Sequence, residues 1–256
     1  MRVTGERVTT SAGAFNPTWQ RHVAAYALCA DLLPAGRTLD LGCGVGHSYA
    51  LLAPRTTVGV DIDADALSSQ DRETHVADMR ALPFADASFD SVLAVQSLEH
   101  APDPDRVLAE ARRVLAPGGV AVFVTPNRLT FARPDEIIDP YHFVEFSAGE
   151  LRDLCRRRYP RVELLGLFGS ARYLELVAEE RRKLERLLRR DPLKLRRLVP
   201  RALRQRLYDS RLSRERASDD LRAAAIGPAD FRLADSGLHE ALDLVAICRT
   251  YPFHDG

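Results

Sequence analysis

The chain has 256 residues, of which 46% are hydrophobic, and its formal net charge at pH 7 is zero. This length predicts one domain, or one domain with an insertion, with enough apolar residues for a proper core, and neither a signal peptide nor a membrane-spanning run is found. The four cysteines are scattered without a Cys-x-x-Cys pair, which argues against a disulfide framework or a zinc site and favours a reducing cytoplasm.

The first predicted elements are a helix, a strand and a glycine turn. A helical pattern runs from residue 18 to residue 33, and Pro34 ends it. A short apolar strand at residues 37–41 then leads into a Gly-Cys-Gly-Val-Gly turn at residues 42–46. The glycines let the backbone turn tightly and leave no Cβ atom in the way of a ligand. Open α/β sheets bind their ligands at such turns, which follow the carboxyl ends of strands.

The residues around this turn indicate what the ligand is. The third glycine comes one residue earlier than in a dinucleotide fingerprint, and His47 occupies the position that the fingerprint reserves for it. Asp40, before the turn, would repel a phosphate but suit an ammonium group. Asp61 ends the next apolar run, at about the distance where a carboxylate accepts hydrogen bonds from ribose hydroxyls. The sequence therefore predicts a ligand with a ribose and a positive charge, and it requires no phosphate.

The following pattern alternates strands and helices. A helix is predicted over residues 47–53, where Pro54 ends it. Asp103 is predicted to cap a helix that begins at Pro104, and Ser147 with Glu150 forms a capping box for a later helix. The predicted strands lie at residues 37–41, 57–61, 74–77, 91–95, 120–124, 162–168 and 242–248.

A basic segment separates the last two predicted strands. Residues 181–216 hold 15 Lys or Arg residues against 4 Asp or Glu, with leucines at helical steps. We interpret this insertion as two or three amphipathic helices, broken at Pro192 and Pro200, that form a solvated lid packed on the core. An anionic substrate, peripheral contact with a membrane surface and RNA remain alternatives. Tyr208 is the only aromatic residue inside the segment, which argues against single-stranded nucleic acid.

Four ordered motifs resemble those of class I S-adenosylmethionine-dependent methyltransferases, in the methyltransferase type 11 group. They are residues 40–46 with Asp61, 78–84, 89–92 and 117–119. The resemblance is strong over residues 37–127 and implies an α/β fold with a Rossmann-like, seven-stranded, mostly parallel sheet, helices on both faces and an antiparallel pair of strands at its edge. The predicted parts are an N-terminal cap (1–36), a cofactor-binding core (37–127), a substrate loop, helix and sixth strand (128–169), a helical basic lid (170–226) and a C-terminal strand region (227–256).

The resemblance also implies the cofactor, S-adenosyl-L-methionine, and the residues that hold it. Asp61 matches the acid that binds the ribose hydroxyls, and Ile62 supplies an apolar face for the adenine. Asp78 matches the acceptor for the adenine amino group, while the backbone N–H of Met79 faces the ring. A leading helix in this fold caps the cofactor cleft, so Arg21 or His22 is a candidate for the cofactor's carboxylate. The remaining predicted cofactor residues are Asp40, Gly42, Cys43, Gly44, Gly46 and Gln96.

Two histidines are candidates for catalysis. Methyl transfer from a sulfonium requires a near-attack geometry and, for a hydroxyl acceptor, removal of a proton, which suits an imidazole. His100 follows the fourth strand beside Glu99, which could orient it, and His142 lies in the predicted substrate loop. A structural role in capping a turn is the alternative for either histidine. No metal is predicted: residues 103, 105 and 110 are acidic, but no cluster has convincing ligand spacing.

Shorter segments indicate the acceptor. Residues 4–7, 125–131, 139–142, 166–168 and 242–247 resemble sugar O-methyltransferases associated with polymethylated polysaccharides. The resemblance implies a small-molecule acceptor, such as the hydroxyl of a sugar or similar metabolite. The alternatives are a C-methyltransferase of a quinone or lipid-like acceptor, and an inactive cofactor-binding protein that docks on a partner. RNA methylation is less favoured, because the Asn/Asp-Pro-Pro-aromatic signature of amino-directed enzymes is missing.

Overall fold

The computed structural model describes residues 17–131, 133, 136–189, 191, 199–206 and 225–251. The 4–7 segment, the predicted break at Pro192 and residues 207–216 of the basic segment, with Tyr208, lie outside these ranges. The helices are α1 (Pro17–Ala30), α2 (Ala64–Leu67), α3 (Pro104–Val114), α4 (Ala148–Arg156) and α5 (Ala171–Leu188). The strands are β1 (Arg37–Leu41), β2 (Thr56–Asp61), β3 (Thr74–Val76), β4 (Phe89–Val95), β5 (Leu115–Pro126), β6 (Arg161–Gly169), β7 (Phe231–Ala234) and β8 (Asp243–Arg249).

The strands form one sheet in the order β3-β2-β1-β4-β5-β8-β6-β7. The first five are parallel, whereas β8 runs antiparallel to both β5 and β6. This confirms the predicted Rossmann-like fold and its antiparallel edge. The described residues contain eight strands rather than seven, because β7 adds a short edge strand that pairs with β6. The chain of the predicted lid therefore leaves the sheet after β6 and returns to it at β7.

The predicted helix over residues 47–53 is wrong. In its place a single 3₁₀ turn covers Tyr49–Leu52, and the side chain of Ser48 makes no capping hydrogen bond. Ala53 has an extended conformation, with φ −55° and ψ 145°, as expected for a residue before proline. The segment between the glycine turn and Pro54 is thus too short to repay the cost of starting an α-helix.

The core lies on both faces of the sheet. Along β4, Val92 and Ala94 face one side and pack with α3 and α4, while Leu93 and Val95 face the other side and pack with α1 and α5. This alternation follows from the two-residue period of a strand, and it explains why a central strand covered on both faces is apolar throughout. Helices therefore cover both faces, as predicted.

The predicted caps that begin α3 and α4 are confirmed. The Asp103 side chain accepts a hydrogen bond from the backbone N–H of Arg106 at 3.1 Å, and Pro104 occupies the first turn of α3. Ser147 and Glu150 form the reciprocal capping box of α4. These local interactions fix where each helix leaves the carboxyl edge of the sheet, and so they help to position the loops at that edge.

Asp230 ties the start of α5 to the start of β7. Its carboxylate accepts hydrogen bonds from the Ser170 hydroxyl at 2.7 Å, the Gly227 backbone N–H at 3.0 Å and the Arg172 guanidinium. The hydrogen bonds from Arg172 and from its other partners hold the pKa of Asp230 well below its usual range. The carboxylate is therefore ionised at neutral pH and closes the base of the insertion. Within the described ranges, no helix has the length and apolar character that crossing a bilayer requires.

We expect Asp230→Ala to lower the melting temperature by about 2–6 °C, because the loss of hydrogen bonds to one charged group is spread over a domain of this size. A thermal melt followed by circular dichroism measures the shift. Asp235→Ala is the matched control, since Asp235 is an exposed carboxylate beyond the end of β7. Equal melting temperatures for the two variants would contradict the anchoring role of Asp230.

Candidate active site

The glycine turn after β1 is held against two neighbouring strands. Gly42, Gly44 and Gly46 have φ of 72°, 53° and 68°, which lies in the left-handed region that favours glycine. The backbone N–H groups of Gly42 and Cys43 both donate to the Val60 carbonyl, at 2.8 and 3.0 Å. A Cβ at Gly42 would lie 2.5 Å from Cβ of Ser97, whereas a Cβ at Gly44 would meet no atom within 4 Å. The turn is therefore packed against Ser97 at Gly42, whereas the space next to Gly44 is open.

We expect Gly42→Ala to lower the free energy of unfolding by about 1–2 kcal/mol and to weaken cofactor binding, because the new methyl group cannot fit beside Ser97. Gly118→Ala is the control: its φ of 81° carries the same backbone strain, but no atom lies within 4 Å of its Cβ position. Denaturant unfolding and calorimetry with S-adenosyl-L-methionine separate the two effects. Unchanged cofactor affinity in Gly42→Ala would show that the turn tolerates displacement.

Asp61, at the end of β2, connects the glycine turn to the segment that leads into α2. One carboxylate oxygen accepts a hydrogen bond from the backbone N–H of Gly44 at 2.8 Å, and the other accepts from the backbone N–H of Asp63 at 3.0 Å. Asp63 in turn caps α2 through the backbone N–H groups of Asp65 and Ala66. The Asp61 carboxylate is therefore fixed in orientation, half-buried, at the edge of a cavity.

This cavity lies where the parallel strands end. Most of the predicted cofactor residues line it: Gly42, Cys43, Gly44, Asp61, Ile62, Asp78, Met79 and Gln96. His22, a candidate for the cofactor's carboxylate, and His100, a candidate for catalysis, line it as well. Ile62 is 71% exposed, so its apolar side chain is available to a ligand. Sequence reasoning did not propose Tyr26, Ser97 or Arg80 as site residues, and it noted His47 only as the residue in place of a fingerprint glycine, yet all four line the cavity. The sequence signal that could have indicated most of them is their position just after predicted strands, at the edge of the sheet where the cavity lies.

Three predicted cofactor residues are placed differently. Asp40 lies fully buried outside the cavity lining, where its carboxylate accepts a hydrogen bond from the Tyr26 hydroxyl at 2.7 Å and pairs with Arg72 at 2.6 Å. It supports the turn from behind, and its expected contact with an ammonium group stays a prediction. Gly46 also lies outside the lining, since its Cβ position faces Gln70. Arg21 is paired with Asp243 at 3.2 Å.

Gln96 connects this cavity to the last strand. It has φ of 52°, a left-handed conformation that non-glycine residues adopt only when their surroundings hold them there. Its side-chain amide donates to Asp243 at 2.6 Å, and its backbone N–H donates to the Val124 carbonyl at 2.8 Å. The turn after β4 is thereby fixed between β5 and β8, with Asp243 shared by Gln96 and Arg21.

The structure brings the two candidate catalytic histidines together. The rings of His100 and His142 lie 5.0 Å apart between centroids, in an edge-to-face arrangement. The loop that carries His142 is held here because the backbone N–H of Phe143 donates to the Glu99 carbonyl at 2.8 Å. Nδ1 of His100 lies 3.3 Å from the Tyr141 carbonyl oxygen. His100 lines the cavity, while His142 lies behind it.

Burial and neighbouring charges change the pKa of each group in this cluster. Burial raises the pKa of Glu99 to about 7 and lowers that of His100 to about 4. Burial also lowers the pKa of His142, but its hydrogen bond to Glu145 at 2.9 Å and the nearby carboxylates outweigh this, and the net pKa is raised. At neutral pH His100 is therefore a neutral imidazole with a lone pair at the cavity wall.

The acidic residues considered as a metal site have structural roles. Asp103 caps α3, Asp105 pairs with Arg158, and Glu110 pairs with Arg113 at 2.8 Å. Each of these three carboxylates therefore has a partner within the fold.

The fold is Rossmann-like, and its cavity lies at the carboxyl ends of the parallel strands, where open α/β sheets bind their ligands. Residues 39–123 match the family model described as a methyltransferase domain. A probable S-adenosylmethionine-dependent methyltransferase of Mycolicibacterium smegmatis is 32% identical to this chain over 96% of this chain and 93% of its own length. The chain belongs to the S-adenosylmethionine-dependent methyltransferases, its cofactor is S-adenosyl-L-methionine, and it is an enzyme.

Two further comparisons bear on the acceptor and the fold. A fatty-acid O-methyltransferase of the same species is 37% identical over 38% of each chain. The solved structure of an S-adenosylmethionine-dependent methyltransferase of Thermotoga maritima, described as a possible histamine N-methyltransferase, gives a TM-score of 0.60 over 91% of both chains, at 18% identity. This second likeness concerns the fold alone. The open space above Gly44 fits the family's cofactor, because a larger residue there would enter the cavity.

Proposed function

We propose that this methyltransferase transfers the methyl group to the hydroxyl of a sugar or a similar small hydroxylated metabolite. The observation that carries the proposal is the cluster of His100, His142 and Glu99 at the wall of the cofactor cavity. A hydroxyl oxygen becomes a good nucleophile only when its proton is removed or its O–H bond is weakened. An imidazole lone pair beside the cavity supplies a place for that to occur.

The cofactor is expected to lie across the ends of β1, β2 and β4. We propose that Asp61 accepts the hydrogen bonds of the ribose hydroxyls, that Ile62 covers one face of the adenine, and that Asp78 and the backbone of Met79 bind its polar edge. Each of these residues lines the cavity. Asp78 is also paired with Arg80 at 2.6 Å, so its carboxylate is ionised and oriented before a ligand arrives.

S-adenosyl-L-methionine supplies an electrophilic methyl group on a sulfonium, so the protein has no departing anion to stabilise. The remaining work is to position the acceptor and to activate its hydroxyl. His100 is suited to contact the acceptor because it lines the cavity and its Nδ1 faces the Tyr141 carbonyl, which leaves Nε2 for the cavity. His142, Glu99 and Glu145 lie behind His100 and hold it in place.

The described part of the insertion supports the lid interpretation. Arg201 donates to the carbonyl oxygens of Pro140 and Tyr141 at 2.8 and 3.0 Å, and Arg181 donates to that of Thr130. These arginines fix the substrate loop instead of presenting free charge to a nucleic acid or a membrane. A loop fixed in this way, beside the cavity, suits a small acceptor that enters beneath a cover.

The oxygen acceptor is favoured further by the name of one partial relative. The fatty-acid O-methyltransferase of M. smegmatis methylates oxygen, as its name states, and it matches 38% of this chain at 37% identity. A sugar hydroxyl is proposed over a carboxylate because several short segments resemble sugar O-methyltransferases.

The test is transfer of a labelled methyl group from S-adenosyl-L-methionine to the small molecules of a deproteinised cell extract. We expect one or a few labelled products in which NMR places the methyl group on an oxygen of a hydroxylated compound, and which resist mild alkaline hydrolysis. Loss of the label in mild alkali would identify a carboxylate acceptor instead. A well-folded sample that binds the cofactor but labels no small molecule would contradict the proposal.

A further inference from the structure

Three side chains beside the cofactor cavity have the geometry of metal ligands. Glu99, His100 and His142 each offer a ligand atom, and these three atoms all lie within 4.8 Å of one another. One ion with bonds of about 2.1 Å holds neighbouring ligand atoms about 3.4–4.2 Å apart. Movements of less than about 1 Å in these side chains would therefore complete a coordination shell. Two of the three residues are buried, so the shell would be shielded from water on one side.

An independent observation indicates that one carboxylate oxygen of Glu99 lacks a hydrogen-bond partner. Its side chain is completely buried, and one carboxylate oxygen accepts a hydrogen bond from the Thr125 hydroxyl at 3.1 Å. The other oxygen, Oε1, has no hydrogen-bond partner among the residues that the structure describes. A buried carboxylate with an unpaired oxygen is costly, and a cation is the group that removes this cost most directly.

Both imidazoles are oriented as metal-binding histidines are. Nδ1 of His142 lies 2.9 Å from Oε1 of Glu145, and Nδ1 of His100 lies 3.3 Å from the Tyr141 carbonyl oxygen. When Nδ1 carries the proton and donates it to such an acceptor, the lone pair is on Nε2. Metal-bound histidines nearly always donate their second ring N–H to a carboxylate or a backbone carbonyl. Both kinds of partner are present here.

The charge around the cluster also favours a cation. The groups that interact electrostatically with its members are three carboxylates, of Asp139, Glu145 and Asp243, and two guanidiniums, of Arg21 and Arg201. Together with Glu99 itself, four carboxyl groups lie around the cluster against two guanidiniums.

We propose that Glu99, His100 and His142 bind a divalent transition-metal ion in the wall of the cofactor cavity. Two imidazole nitrogens and one carboxylate oxygen suit Zn²⁺, Mn²⁺, Fe²⁺ or Co²⁺, whereas Mg²⁺ and Ca²⁺ prefer ligand sets made of oxygen. Three protein ligands leave a coordination position open, as in catalytic metal sites. Because His100 lines the cavity, the open position is reached from there.

The role of the ion in methyl transfer rests on the proposed function. With the ion bound, the lone pair of His100 is used for coordination, so the ion takes over the activation of the hydroxyl from the imidazole. A hydroxyl coordinated to a divalent ion loses its proton more readily, and that proton leaves to water. An oxygen lone pair then forms the bond to the methyl carbon, while the electron pair of the broken C–S bond stays on sulfur. The ion changes neither its charge nor its oxidation state.

The binding experiment uses the purified full chain after treatment with a chelator. Isothermal titration with Zn²⁺, Co²⁺ and, in parallel, Mg²⁺ is expected to give one equivalent of tight binding for the first two and none for Mg²⁺. The absorption spectrum of the Co²⁺ form should show d–d bands without a thiolate charge-transfer band, which excludes the four cysteines as ligands. We expect Glu99→Gln to weaken Co²⁺ binding at least 100-fold, and Glu145→Gln to weaken it about 10- to 100-fold.

The controls make each result decisive. His239→Ala removes an exposed histidine outside the cluster and should leave Co²⁺ binding unchanged. If Glu99→Gln does not fold, His100→Ala, at the half-buried position, takes its place. The proposal is overturned if a folded chain that binds S-adenosyl-L-methionine takes up no stoichiometric Zn²⁺ or Co²⁺. It is also overturned if neither Glu99→Gln nor His100→Ala weakens the uptake of Co²⁺. Ion binding without any methyl acceptor in the extract screen would overturn the proposed function and leave the metal site intact.

Discussion

Replacing His142 by alanine is expected to lower kcat for methyl transfer by about 10²–10⁴-fold while the Kd for S-adenosyl-L-methionine stays unchanged. The range is what a positioned proton-transferring group contributes to catalysis, and the variant is expected to lose this contribution indirectly because His142 positions His100. His142 packs edge-to-face on His100 and bonds to Glu145, but it does not line the cofactor cavity. Its loss should therefore disorganise the activating cluster without touching the cofactor. Labelled methyl transfer at saturating cofactor measures kcat, and calorimetry measures the Kd.

Two controls show whether the lower kcat of His142→Ala comes from the loss of this side chain or from a general loss of stability. His239→Ala changes an exposed histidine and should turn over at the native rate. Circular dichroism of the His142→Ala variant should show the native helix and strand content. The assignment fails if His142→Ala keeps its turnover number, or if cofactor affinity falls in parallel with kcat, because a residue of the cofactor site would behave in the second way.

Replacing Asp61 by alanine is expected to raise the Kd for S-adenosyl-L-methionine by about 5- to 150-fold, which corresponds to about 1–3 kcal/mol. Two losses combine in this variant. The ribose hydroxyls lose a charged acceptor, and the backbone N–H of Gly44 loses the carboxylate that fixes the glycine turn at 2.8 Å. Calorimetry with S-adenosyl-L-methionine and with its demethylated product gives the two affinities directly.

Two variants sharpen the result for Asp61. Asp61→Asn keeps an oxygen acceptor for one hydrogen bond but removes the charge, so its Kd should fall between those of the native chain and Asp61→Ala. Asp65→Ala removes an exposed carboxylate from α2 and should bind the cofactor like the native chain. Native affinity in Asp61→Ala would mean that the cofactor is not held at the end of β2.

The fold was predictable because its signals are local. Apolar strands, the glycine turn and the two helix caps each occupy a few consecutive residues, and together they determine the order of elements in a sheet of this kind. The short strand β7 was not predicted because four residues carry too little pattern, and its partner β6 lies about 60 residues earlier in the chain. The 47–53 segment misled the prediction because its helical pattern is cut off by Pro54 before a stable turn can extend.

The candidate site was predictable only where its residues follow a strand directly. Asp61, Gln96 and His100 come at strand ends and line the cavity, as expected. Asp40 is the last residue but one of β1, and its carboxylate turns inward because Arg72, 32 residues away, supplies a buried counter-charge. The approach of His142 to His100 spans 42 residues and depends on a backbone hydrogen bond from the substrate loop to Glu99, so spacing rules for metal ligands could not detect it.

Helix α1 determines how much of this chain can fold by itself. The family model begins to match at residue 39, after α1 has ended. Yet the Tyr26 hydroxyl of this helix donates to Asp40, and Arg21 pairs with Asp243, two carboxylates that are completely buried. A fragment that begins at residue 37, directly after this helix and its turn, would keep every strand and still bury two acids stripped of these neighbours. We therefore expect such a fragment to be poorly soluble, and dissection of this enzyme has to retain its leading helix.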